Sequence, residues 1–197
     1  MYRKIIKRVV DFLLALLGLL LLSWLFIILI IWIKLDSKGP VFFMQKRVGI
    51  HKKYFYIYKF RTMKTDTPKD MPTHLLKDPD KFITRAGRFL RKTSLDELPQ
   101  IINILKGDMS IVGPRPALWN QDDLIAERDL YNANDVLPGL TGLAQISGRD
   151  ELEISVKARY DGEYVANISF GYDVKLFFKT IRAVLTHDGV KEGASDK

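Results

Sequence analysis

Charged side chains are absent from Phe12 to Ile33, a run of about 22 residues that is long enough to cross a bilayer core as a helix. A cleaved leader would carry a shorter apolar region followed by small residues, whereas Trp24, Phe26 and Trp32 stand inside this run and Lys34 closes it. Beyond the turn dipeptide Gly39-Pro40, Val41–Gln45 and Lys53–Phe60 are rich in β-formers and predict a hairpin, joined irregularly through Val48-Gly49-Ile50-His51. Residues 65–81 hold three prolines and many charges and read as a loop. A helix is expected over 84–92. A second is expected after Ser94, with Leu98, Ile101, Ile102 and Leu105 as its apolar positions and Gly107 as its end. Further on, 118–132 read as a polar helix, 138–148 as a glycine-punctuated loop with a short strand, and 151–166 as a helix. In the last helix Phe170, Val174, Phe177, Ile181 and Val184 share one face and Lys175, Lys179 and Arg182 another. That face fits either packing into the core or contact with a membrane surface.

At 197 residues the chain has room for one domain with an appendage, and 47% hydrophobic against 27% charged residues supplies a core. A net charge of +8 favours phospholipid, nucleotide or nucleic acid as partners without choosing among them. The absence of cysteine excludes disulfides, thiolate zinc sites and thiol nucleophiles, and 3 scattered histidines argue against a His-built metal centre.

Basic residues flank the apolar run on both sides: Arg3, Lys4, Lys7 and Arg8 before it, Lys34, Lys38, Lys46, Arg47, Lys52 and Lys53 after it. A plain span would set one cluster on the wrong side of the membrane, so a helix that enters and leaves by one face fits the charge pattern better. Ser23 lies near its middle, where its hydroxyl can bond a backbone carbonyl and bend the helix; no proline occurs between Met1 and Gly39.

Three segments could carry chemistry. Arg85, Arg88, Arg91 and Lys92 precede the adjacent carboxylates Asp96 and Glu97. Ser94-x-x-Glu97 also reads as a capping box, in which the carboxylates do no more than start a helix. If they do more, guanidinium groups that bind phosphate would bring a phosphoryl group beside a carboxylate nucleophile. In Gly113-Pro114-Arg115-Pro116 two prolines hold one arginine rigidly, and Pro138-Gly139-Leu140-Thr141-Gly142-Leu143-Ala144-Gln145 permits close backbone approach to a ligand. Taken singly, the first of these also fits a plain connector and the second a plain turn.

Taken in order, the basic start, the apolar run, Tyr58-Lys59-Phe60-Arg61-Thr62-Met63, Ser94-Leu95-Asp96-Glu97-Leu98-Pro99-Gln100, Gly113-Pro114-Arg115-Pro116 and Pro138–Gln145 resemble the bacterial sugar transferases called monotopic phosphoglycosyl transferases. The resemblance implies transfer of a sugar-1-phosphate from a UDP-sugar to polyprenol phosphate, usually undecaprenyl phosphate, with release of UMP. It also implies Mg²⁺ and a covalent phosphosugar-enzyme intermediate. By motif, Asp96 would be the nucleophile and Glu97 its assistant as metal ligand or base; Lys59, Arg91, Arg115 and Gln145 would bind phosphate and nucleotide. Asp161 and Asp173 fall in matching stretches with roles left open. The implied architecture is α/β, mostly helical with a small β-hairpin or sheet. A re-entrant membrane helix (1–36) would precede a catalytic domain (37–190) with membrane-surface amphipathic helices, then a polar tail (191–197), on the cytoplasmic face of the bacterial inner membrane. The partners implied are the donor, the acceptor and membrane lipid; nucleic acid is not among them, and a homodimer is left open. Family members commonly break the membrane helix at a Ser-Pro pair, where this chain has Ser23-Trp24.

Overall fold

The apolar run folds as one helix, α1 (Lys7–Asp36), entered through a π-helical turn at Tyr2–Ile6. The structure, a computed structural model, describes residues 1–67, 79–148 and 152–186. The loop expected at 65–81 is therefore seen only at its ends, and the tail at 191–197 lies outside the described residues. At 1.5 Å per residue α1 extends about 45 Å. It is long and apolar enough to cross a membrane, yet it also packs along the domain that follows. Asp11, Ala15, Phe26, Leu29 and Ile33 are buried, while Leu13, Leu14, Leu17, Leu20, Leu21, Trp24, Ile27, Ile28 and Ile31 stay exposed on its other sides. The helix runs through Ser23 without the break that the sequence leads one to expect there; the Ser23 hydroxyl donates to the Leu20 carbonyl at 2.9 Å, a bond the helix accommodates.

The hairpin forms as β1 (Phe42–Val48) and β2 (Tyr54–Phe60), antiparallel, with Phe43 opposite Lys59 and Gln45 opposite Ile57. His51 and Lys52 take left-handed backbone conformations in the connection, which is the irregular turn the sequence predicts. Next come α2 (Arg85–Lys92), α3 (Gln100–Lys106) and β3 (Ser110–Val112), then α4 (Asp122–Asp129) and β4 (Gly139–Thr141). The short α5 (Leu143–Ile146), α6 (Ile154–Ala166) and α7 (Phe170–Thr186) follow. Strand β3 pairs in parallel with β4.

Helix α1 is itself part of the core. Its C-terminal half joins Val41, Phe60, Ala86 and Leu90, and its N-terminal half, through Ala15, joins Ile57, Ile101, Ile104 and Met109. Val112, Leu143, Tyr164 and Leu176 form a third cluster between β3, α5, α6 and α7.

Two expectations need correction, and one of two open alternatives falls. The capping box does not form: Ser94 has φ 56°, a left-handed conformation, and makes no cap bond, whereas an N-cap needs extended backbone to aim its oxygen at the first amides. Residues Leu95–Glu97 form a separate 3₁₀ turn, and α3 starts only after Pro99. The polar helix is confined to Asp122–Asp129, because the Gln121 side chain accepts the Leu118 amide and makes a turn there instead. In α7 the inward face is Asp173 and Leu176, so Phe170, Val174, Phe177 and Ile181 are exposed and do not pack into the core.

Candidate active site

Each element that carries a candidate residue is fixed by a local device. Thr84 caps α2, its hydroxyl accepting the Gly87 amide at 2.9 Å, and Arg91 lies in the last turn of that helix, shortly ahead of the carboxylates. Gly107, at φ 95°, closes α3 and gives its amide to the Asn103 and Ile104 carbonyls, as the sequence predicts. Asn103 is fully buried. It accepts the Tyr58 amide at 2.9 Å and donates to the Tyr56 carbonyl at 2.8 Å, which clips the edge of β2 and sets the register of Lys59.

Glu97 is the hub. Its Oε1 accepts from Lys59 Nζ at 2.9 Å and from Arg115 Nη2 at 2.8 Å. Lys59 Nζ also lies 3.9 Å from Asp96 Oδ2. Residues from β2, the 3₁₀ turn and the proline-flanked loop thus meet at one place. The Lys59, Asp96 and Glu97 side chains keep 14–20% of their surface exposed, enough to meet a ligand, and Arg115 keeps 39%.

The two adjacent carboxylates are driven apart electrostatically. Burial and the Glu97 charge push Asp96 up to about 6, against the pull of Lys59, Arg91 and Arg115. Burial also acts to raise Glu97, but Arg115 and Lys59, by charge and by hydrogen bond, outweigh it and hold Glu97 well below the ordinary carboxylate range. Glu97 is therefore a fixed anion, while Asp96 is a carboxylate whose ionisation lies close to working pH.

Arg91 acts on Asp96 through its charge. Gln145, on α5, does not join the carboxylates: its Nε2 donates to the Leu140 carbonyl at 3.0 Å and its Oε1 is buried without a partner. Asp161 and Asp173 lie elsewhere. Asp161 pairs with Arg128, and Asp173 accepts from Tyr2, Lys7 and Tyr164 at 2.6, 2.7 and 2.8 Å. Sequence reasoning missed Asn103, Arg128 and Asp11. Asp11 accepts from the Ser110 hydroxyl at 2.6 Å and the Ile111 amide at 3.2 Å. A polar residue interrupting an apolar helical face was the available signal for Asn103 and Asp11. Nothing local marks Arg128.

Compared with known proteins, residues 2–187 match the family described as bacterial sugar transferase. A Bacillus subtilis protein, the sugar transferase EpsL, is 43% identical over 95% of this chain and 91% of its own length. The undecaprenyl-phosphate galactose phosphotransferase of Salmonella typhimurium is 39% identical over 94% of this chain. The UDP-N-acetylgalactosamine-undecaprenyl-phosphate N-acetylgalactosaminephosphotransferase of Aeromonas hydrophila is also 39% identical over 94% of it. The chain spans only 42% and 45% of those two longer proteins.

Proposed function

The chain belongs to the bacterial sugar transferase family, and from that premise we propose that it moves a sugar-1-phosphate from a UDP-sugar to undecaprenyl phosphate, with Asp96 as the nucleophile. The observation that carries the reading is the meeting of Lys59, Asp96, Glu97 and Arg115 around one carboxylate pair. A helix-capping role would have spent Glu97 on backbone amides; instead it holds two cations.

In the first step an Asp96 carboxylate oxygen attacks the sugar-bearing phosphorus. The phosphorus–oxygen bond to the UMP phosphate breaks, and UMP leaves with that electron pair. In the second step an oxygen of the acceptor phosphate attacks the same phosphorus and returns Asp96 to the free carboxylate, giving undecaprenyl-diphosphosugar. Both steps bring anions together. The side chains of Lys59, Arg91 and Arg115 offset that repulsion and stabilise charge on the transferring group.

The donor chemistry of the site suits Mg²⁺, which takes one or two carboxylates and completes its shell with substrate phosphate and water oxygens. Glu97, a permanent anion beside the nucleophile, would hold it. When bound, the ion supplies charge neutralisation on the diphosphate.

The same reading makes α1 a membrane helix that does not cross. Its first turns are tied to the domain by Lys7 to Asp173 at 2.7 Å and by Arg8 to the carbonyls of Ile104 and Leu105. At the far end Asp36 accepts the Ala86 amide at 3.0 Å, and Arg61 donates to the carbonyls of Ser37 and Lys38 at 2.8 and 2.6 Å. That both ends are bonded to one domain supports a helix whose ends share one face of the membrane, rather than standing on opposite sides of a hydrocarbon core about 30 Å thick. The exposed Phe170, Phe177, Phe178 and Ile181 of α7, beside Lys175, Lys179 and Arg182, support a second contact with the same membrane face.

The test is a purified protein incubated with a panel of UDP-sugars and Mg²⁺, with and without undecaprenyl phosphate. UMP release and an intact-mass increase of one phosphosugar are expected for one donor, and both vanish in Asp96→Asn. Parental turnover by Asp96→Asn, or UDP as the product, overturns the proposal. The panel also identifies the sugar, since relatives at equal identity are named for galactose and for N-acetylgalactosamine.

A further inference from the structure

The segment that presents Arg115 to Glu97 is difficult to hold by ordinary means. Pro114 and Pro116 have no amide hydrogen, so Gly113-Pro114-Arg115-Pro116 cannot be secured by a regular ladder of donors. Beyond the Gly113 amide, it is held by its carbonyls. The Gly113 amide donates to the Thr141 carbonyl at 2.8 Å, the Gly139 amide donates to Pro114 at 2.9 Å, and Arg47 Nη1 donates to Pro116 at 2.9 Å. The carbonyl of Arg115 itself accepts from Arg128 Nη2 at 2.9 Å.

Arg128 lies at the end of α4 and retains 7% of its side-chain surface; Asp161, on α6, retains 1%. Asp161 Oδ2 receives both Nε at 2.8 Å and Nη2 at 2.6 Å, which fixes the plane of the guanidinium and aims Nη2 at the Arg115 peptide. Beside Asp161, Gly162 lets α6 approach the start of the α4–β4 connection closely: a Cβ there would meet Tyr131 at 2.6 Å. A buried ion pair adds little net stability over an apolar pair of similar volume, so this one calls for a role other than holding the fold.

We propose that Arg128 and Asp161 are positioning residues, a buried clamp that grips the Arg115 main chain and so holds the Arg115 guanidinium in place against Glu97 for phosphosugar transfer. This rests on the reading of Arg115 as part of the site, and the test separates the two.

The experiment replaces both partners at once, Arg128→Met with Asp161→Leu, so that no buried charge is left alone. It compares this double variant with Arg115→Lys and with the triple variant, measuring kcat and donor KM for UMP release together with thermal unfolding. The double variant is expected to unfold at or above the parental temperature while kcat falls roughly ten- to hundredfold with KM changed far less, the cost of a misplaced catalytic group. Added to Arg115→Lys, the double replacement is expected to cause no further loss. Parental kcat in the double variant, a change confined to KM, or a full multiplicative loss in the triple variant overturns the clamp. Should the apolar pair unfold the protein, Arg128→Lys makes the same comparison, since an ammonium can pair with Asp161 but cannot also fork to the Arg115 carbonyl. Parental activity in Arg115→Lys alone would instead refute the placement of Arg115 in the site.

Discussion

Asp96 and Glu97 are adjacent in sequence and similar in exposure, yet their neighbours give them opposite tendencies. Two short contacts from Arg115 and Lys59 converge on one oxygen of Glu97, while Asp96 has Lys59 at 3.9 Å, is drawn by the charges of Lys59, Arg91 and Arg115, and bears the repulsion of Glu97. As the proposed nucleophile Asp96 must be ionised, so in metal-free protein its reactivity is expected to fall as pH falls through about 6. The expected measurement is a carbon-13 titration of Asp96 in metal-free protein with a midpoint near 6; a midpoint in the ordinary carboxylate range would contradict the geometry. The effects on stability have opposite signs. Asp96, raised on folding, contributes stability at low pH that is lost as pH rises through about 6. Glu97, lowered on folding, contributes stability above the ordinary carboxylate range that is lost as pH falls below it.

At the scale of elements, the closest backbone approach at a helix is that of α2 to the strand exit at Thr62. A Cβ on Gly87 would come within 1.9 Å of the Thr62 carbonyl oxygen, and backbone on both sides leaves little room to yield. Gly87→Ala is therefore expected to cost on the order of 1–3 kcal/mol and to lower Tm by several degrees, with activity falling as α2 moves Arg91. Gly171→Ala in α7 is the control: nothing lies within 4 Å of its Cβ, and removing a helical glycine stabilises by roughly 0.5–1 kcal/mol. Equal Tm values for the two variants would refute the packing argument. The same contrast explains what the sequence made legible. The hairpin, α2, the α3 stop at Gly107 and the residues of the carboxylate site follow from period, turn chemistry and ordered motifs, all local. The capping box failed because Ser94 and Glu97 fit the local pattern while distant Lys59 and Arg115 took the carboxylate. The tie from Tyr2 to Asp173 spans 171 positions and that from Asp11 to Ser110 spans 99, separations at which no periodicity carries information. The orientation of α7 was undecided for a related reason: by pattern its apolar stripe fits the core or a membrane surface, and only the tie of Asp173 to Lys7 marks the other face as the inward one.

For the whole molecule, the proposed re-entry of α1 raises a physical question, because the helix has no proline. Proline in a helix interior costs roughly 3 kcal/mol and bends it, so on the proposed topology a chain lacking one would obtain re-entry from its ends. Charge-assisted hydrogen bonds contribute about 1.5–3 kcal/mol each where partly buried, and α1 has such ties at both ends, from Lys7 and Arg8 at one and Asp36 and Arg61 at the other. Buried Phe26, Leu29 and Ile33 add apolar contact with the domain along the way. On the proposed topology these ties favour re-entry over a straight span, which would also strand one basic flank on the wrong side. Because the chain has no cysteine, single substitutions Lys4→Cys and Lys38→Cys report their own side without background. Both are expected to react with an impermeant maleimide only when the cytoplasmic face is open, and to remain so in Ser23→Ala. Loosening one end, with Arg61→Met, is expected to make Lys38→Cys partly accessible from the other face while Lys4→Cys is unchanged. Labelling of the two parental positions from opposite faces would sink the two-ended anchor and the topology with it.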